Sequence, residues 1–158
     1  MLKKFLNSYS EDRVETFNFV LLTIFTWGMY TVYWLGKINK NFKQNTKSPL
    51  VSEGMIITLG IFSFIEGLFI YMAVGSGLEG DFETLDMLDT LSYIGVWGYL
   101  ITSVVIAFHI KNQISLICIK EKINITTNPI YSFNVFFLII FGLMYVCYKF
   151  NAMQKFKK

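Results

Sequence analysis

Four apolar runs, at about residues 17–35, 55–74, 91–110 and 130–148, dominate the chain, and each approaches the length at which a helix crosses a bilayer. At 1.5 Å per residue, roughly 20 residues cover a hydrocarbon layer of about 30 Å. In a soluble domain apolar side chains fall on alternating or helical stripes, whereas here they come as continuous blocks. With 54% of its 158 residues hydrophobic and only 16% charged, the chain carries more apolar surface than a soluble core absorbs. The sequence therefore predicts one all-α integral membrane domain over residues 1–158, with four hydrophobic helical segments.

What joins the blocks differs in sign. The stems at 36–48 and 111–125 carry Lys37, Lys40, Lys43, Lys47, Lys111, Lys120 and Lys122. The linker at 78–90 carries Glu79, Asp81, Glu83, Asp86 and Asp89 and no cation. Four simple crossings would split the 14 basic residues evenly between the two sides, and basic residues favour the cytoplasm. If the second and third blocks cross while the first and last dip in and return, every basic residue is cytoplasmic and 78–90 is the extracytoplasmic loop. The bends would fall at Thr26-Trp27-Gly28 and Phe141-Gly142. Both arrangements stay open, because glycine only weakly breaks a helix in lipid. Pro49 and Asn128-Pro129 are expected to stop the helices that leave the membrane.

The net charge of +3 sits at the membrane edges, which points to anionic lipid head groups and away from nucleic acid. Lys3 and Lys4 precede no apolar core, so no cleavable signal peptide is expected. Leu2, Phe5, Leu6 and Tyr9 share one helical face, consistent with a short interfacial helix or with a frayed terminus. Cys118, Cys147 and His109 lack metal-type spacing, so the thiols are expected to be reduced and structural, with no metal or cofactor.

Residues 17–40 and 133–155 form a degenerate repeat. Phe17-Asn18 pairs with Phe133-Asn134, Met29-Tyr30 with Met144-Tyr145, and Tyr33 with Tyr148, while Gly28 and Gly142 fall one residue out of register. The motif Thr26-x-Gly28-x-Tyr30-x-x-Tyr33-Trp34, followed by Lys37-Ile38-Asn39-Lys40, resembles a bacterial membrane family known as domain-of-unknown-function family 4234. In that family a Thr-Leu-Gly-Ile-Tyr-x-x-Tyr-Trp element precedes a basic stem and returns weakly near the end. Trp27 here replaces the small aliphatic residue. The resemblance implies a multi-pass protein of the bacterial cytoplasmic membrane, with Thr26, Gly28, Tyr30, Tyr33, Trp34, Lys37 and Asn39 in structural roles, and implies no activity.

Glu66 is the sharpest candidate for a site, since an ionisable group inside an apolar block calls for a partner or a water-filled cavity. With residues 78–90 as a loop, Glu66 lies opposite about Leu100. His109 is then nine residues deeper, or roughly 13 Å away, while Tyr99, Thr102 and Ser103 are near enough to offer hydroxyls. His109 is expected at the cytoplasmic interface. The acidic linker lacks EF-hand order and reads as solvated. Asn124-Ile125-Thr126 falls on the cytoplasmic side, which removes its meaning as a glycosylation acceptor. Trp27, Tyr30, Tyr33 and Trp34 could cage a cation, but an interfacial belt explains them more simply.

With no catalytic set, the expectation is a non-enzymatic membrane protein with a structural or regulatory role. It would act through anionic lipids and another membrane protein or a second copy of itself. The alternatives are a small transporter or channel subunit using Glu66, and a membrane immunity or defence protein.

Overall fold

The computed structural model describes residues 2–11, 13–80, 82–123 and 131–155. Asp81, the Asn124-Ile125-Thr126 acceptor, the Asn128-Pro129 stop, Lys157 and Lys158 lie outside the described residues. Six helices follow one another: α1 (Leu2–Glu11), α2 (Thr16–Phe25), α3 (Met29–Thr46), α4 (Glu53–Glu79), α5 (Phe82–Lys120) and α6 (Val135–Lys155). By length and composition α4, α5 and α6 could each cross a membrane, which makes this a membrane protein.

The frame is the antiparallel pair α4 and α5. Ser52 caps α4, its hydroxyl accepting from the Met55 N–H at 3.3 Å, and Gly80 ends it in the left-handed conformation at φ 78°. The expected loop at 78–90 is instead almost wholly helical, because Leu85 and Leu88 keep helical spacing and pack. Leu88 is buried, and the Leu85 side chain stands 3.5 Å from where a Cβ of Gly77 would be. Glu83 sits in the first turn of α5, where the helix dipole favours a carboxylate. α4 thus ends at Gly80, and α5 is already helical from Phe82. The pairing register moves accordingly: Glu66 faces Gly95, not Leu100, and Phe62 faces Gly98. A Cβ on Gly95 would lie 2.6 Å from the Glu66 backbone nitrogen, and one on Gly98 would overlap the Phe62 ring. Glycine is what lets the two backbones approach.

The first apolar block is not one helix. Thr23 Oγ1 lies 3.0 Å from Thr31 Oγ1, and the Phe19 and Trp34 ring centroids are 4.7 Å apart. In an unbroken helix these pairs would be separated by about 12 and 22 Å. The chain turns back between them in a Schellman motif, with Trp27 N–H bonded to Ile24 C=O at 3.2 Å and Gly28 N–H to Thr23 C=O at 2.8 Å. Trp27 takes φ 44° and Gly28 φ 83°. α2, with its 10 residues, rises only about 15 Å, half the hydrocarbon thickness.

α6 also folds back, at Gly142, whose φ 46° and ψ −124° lie outside the range of residues with a Cβ. The Asn134 N–H donates to the Tyr145 hydroxyl at 3.2 Å, and Lys149 Nζ lies 5.8 Å from the centre of the Phe133 ring, a pair that a straight helix would hold roughly 24 Å apart. α6 has the composition of a spanning helix, but its two arms are each too short to span.

Side chains sort into two levels. At one end, α1 buries Leu2, Phe5, Leu6 and Tyr9 in the core, with Phe5 against Phe42 of α3 and both Phe5 and Tyr9 against Phe150 of α6. α1 is therefore a packed element and not a free terminus. Hydrogen bonds gather the same end: Leu2 N–H to Glu121 Oε1 at 3.0 Å, Tyr9 hydroxyl to Asn151 Oδ1 at 3.0 Å, and Val51 N–H to Asn39 Oδ1 at 2.9 Å. Among the described residues the basic side chains fall within 3–47 and 111–155, and none lies between Glu53 and Ile110. Burial pushes the Tyr9 phenol well above its ordinary range, so it stays a donor. Toward Gly80 the α4–α5 pair exposes Phe64, Tyr71, Leu78, Tyr93 and Trp97, an apolar surface larger than water-soluble proteins leave open.

Candidate functional site at the hairpin tips

Both hairpins end against the α4–α5 pair. Turning a helix in an apolar layer frees backbone groups that water cannot satisfy, so polar side chains have to reach them. Ser63 of α4, itself buried, donates to the Trp27 carbonyl at the first tip. Ser103 of α5, also buried, accepts the Leu143 N–H at 3.3 Å at the second. Thr26 bridges the first turn, donating to Leu22 C=O at 2.7 Å and accepting the Tyr30 N–H at 2.9 Å. α4 and α5 thus each supply one serine to one tip.

A file of hydroxyls links the first hairpin to α5. Tyr99 donates to Thr31 at 3.0 Å, Thr31 meets Thr23 at 3.0 Å, and Thr23 donates to Phe19 C=O at 2.8 Å. With Tyr99 as the donor at one end and Phe19 C=O as the acceptor at the other, Thr31 donates to Thr23. Every hydroxyl in the file then has a partner. A cavity of about 410 Å³ opens beside it, walled by Trp97, Leu100, Ile139 and Phe141, with Thr31, Tyr99 and Ser103 as its polar atoms.

The expected intramembrane set of Glu66, Tyr99, Thr102 and Ser103 is only partly assembled. Glu66 is half-buried against Gly95, next to Gly67, on which the Trp27 ring rests at 3.2 Å from the Cβ position. Tyr99 donates its hydroxyl hydrogen bond to Thr31. Ser103 is committed to the α6 tip, and Thr102 is half-buried one residue away. No hydrogen bond to the Glu66 carboxyl is found among the described residues. His109, in the corrected register, is 14 residues past Gly95, or about 21 Å along α5, so it is no partner for Glu66. Among the described residues no group of His, Cys, Asp and Glu could hold a metal, and both cysteines are buried and unpaired with each other.

The motif residues hold the fold. Thr26 and Gly28 make the turn, and Tyr30 packs edge-on to Phe19 with centroids 5.9 Å apart. Trp34 is buried between Phe19 and Phe150, and Asn39 pins the connection after α3. Tyr33 points outward at 62% exposure and Lys37 lies on the exposed side of α3. Because Trp34 is buried while Tyr33 and Trp27 are exposed, the four rings do not enclose a cation. Thr23, Thr31 and Ser63 escape a reading of the sequence. Thr23 and Thr31 stand symmetrically about Trp27, a signal visible only once the chain is known to double back there.

No family model matches the chain, and no match is found among curated proteins or solved structures.

Proposed function

We propose that the chain is a small, non-enzymatic scaffold of the bacterial cytoplasmic membrane. In this reading α4 and α5 cross, and α2–α3 and α6 are re-entrant hairpins that enter from the basic, cytoplasmic side. The acidic turn at Gly80 is extracytoplasmic. The protein acts through its lipid contacts and through a membrane-protein partner or a second copy of itself. The observation that carries the reading is the use of the polar groups at the tips: Ser63, Ser103 and the Tyr99–Thr31–Thr23 file are all spent on holding backbone and neighbouring helices. The similar turning back at Gly28 and Gly142 supports an origin of the two hairpins in one duplicated element, and the resemblance to domain-of-unknown-function family 4234 fits that origin.

Labelling tests the topology. In intact spheroplasts, Gln44→Cys and Lys158→Cys are expected to resist a membrane-impermeant maleimide until the membrane is opened, while Glu83→Cys reacts from outside. Opposite behaviour at Gln44 and Lys158 would establish four crossings and sink the two-crossing arrangement.

Glu66 favours a second reading, a transporter or channel subunit, because its carboxyl is half-buried and free of hydrogen bonds among the described residues. Proteoliposomes separate the two. The scaffold reading expects proton and potassium flux no greater than in empty vesicles, with Glu66→Gln indistinguishable from the parent. Flux in the parent that Glu66→Gln abolishes, with assembly intact, would overturn it.

A further inference from the structure

Between α2 and α6 runs a groove with two chemically distinct compartments. The inner one, about 480 Å³, is lined by Val20, Phe137, Phe141, Met144 and Tyr145 and is almost wholly apolar. The outer one, about 520 Å³, is lined by Arg13, Glu15, Asn151 and Lys155. Thr16 and Tyr148 wall both, so the two compartments are continuous. Each falls in the size range of ligand sites, roughly 300–1,000 Å³.

The outer compartment is basic. Among the described residues that line it, Arg13 and Lys155 supply two positive charges and Glu15 one negative charge. The N-terminus of α2 begins there at Thr16, and Glu15, its N-cap residue, makes no side-chain cap. Its first N–H groups therefore add to the attraction for an anion. Asn151 is engaged elsewhere, its Nδ2 donating to Val14 C=O at 2.8 Å and to Thr16 Oγ1 at 3.1 Å, which leaves the two cations as the headgroup contacts.

We propose that this groove is a site for one glycerophospholipid with an anionic headgroup. An acyl chain fills the slot among Val20, Phe137, Phe141 and Met144, and the phosphate lies between Arg13 and Lys155. The ordering of the compartments commits the occupant: apolar toward the hairpin tips and cationic toward the basic end is the polarity of a lipid standing in the cytoplasmic leaflet. Arginine suits a phosphate because its planar fork binds two oxygens at once. The site rests on the membrane orientation proposed above.

Native mass spectrometry tests the site on the full-length protein released from nanodiscs that contain equal parts phosphatidylglycerol and phosphatidylcholine of identical chains. The expected result is one retained phosphatidylglycerol per chain. Retention is expected to fall at least about tenfold in Arg13→Gln/Lys155→Gln, the scale of one lost charge-assisted hydrogen bond. Arg13 and Lys155 are exposed, so that variant is expected to fold as the parent does. Val20→Trp, which fills the slot, is expected to displace the lipid with both cations in place. Equal retention of the two lipids by the parent, or full retention by the double variant, would overturn the site. The maleimide labelling reports orientation independently, so failure of lipid binding and failure of the topology are distinguishable.

Discussion

Gly98→Leu is expected to yield no monodisperse protein in mild detergent, whereas Gly36→Leu, in α3, is expected to yield parental amounts. The contrast isolates packing, because both glycines lie inside helices and both gain helix propensity on substitution. At Gly36 a Cβ meets nothing within 4 Å, while at Gly98 it overlaps the Phe62 ring. Overpacking usually costs about 1–3 kcal/mol, because the surroundings shift to make room. Here the shift is blocked one turn away, where a Cβ position at Gly95 is 2.6 Å from Glu66 backbone nitrogen and α4 therefore cannot move outward without breaking that approach. A cost of about 3 kcal/mol or more is expected, and in lipid it is not offset by a hydrophobic drive between helices. Phe62→Ala is expected to restore part of the yield in the Gly98→Leu background, since it removes the clashing ring and the two changes share one contact. Parental yield for Gly98→Leu alone would mean that α4 and α5 are not held this closely.

That close approach also explains where the sequence could and could not be read. The apolar blocks are visible because lipid-facing helices need no polar face, whereas glycine at 28 and 142 marks where the chain would bend without saying that it does. The extent of α4 and α5 is hidden in the sequence. Five carboxylates in thirteen residues look like a solvated loop, yet Leu85 and Leu88 hold the helical period and an N-terminal first turn welcomes acidic side chains. Shortening the loop moves every facing pair by about five positions, which is why Glu66 meets Gly95 and why His109 is further from it than the sequence suggested. The stripe Leu2, Phe5, Leu6 and Tyr9 announced an amphipathic helix, but periodicity does not say what covers it; here Phe42 and Phe150 do. The hydroxyl file was invisible because its members come from three helices, two of them joined by a turn that sequence left open.

Gly28→Ala is expected to destabilise far more than Gly80→Ala, although the two glycines share a backbone conformation. Their φ angles are 83° and 78°, so each substitution carries the same left-handed penalty of about 1–2 kcal/mol. Gly80 has open space, whereas a Cβ on Gly28 would stand 2.6 Å from Tyr99 Cε2 and 2.8 Å from Ser63 Oγ. Those are the two side chains that hold the first tip: Ser63 receives no relief because its hydroxyl is bonded to the Trp27 carbonyl, and Tyr99 is tied to Thr31. Moving either breaks a hydrogen bond that water cannot replace at that depth, adding roughly 1–3 kcal/mol. Thermal unfolding in detergent, followed by tryptophan emission, measures the difference, and equal midpoints for the two variants would show that the tip is not seated on α4 and α5. Gly28→Ala with Tyr99→Ala is expected to recover part of the loss by vacating the ring. Recovery of that kind would fix the role of the Thr26-x-Gly28-x-Tyr30 element in physical terms: the glycine is required by the proximity of two neighbouring helices to a turn, and the element is a seat for a hairpin instead of a surface for a ligand.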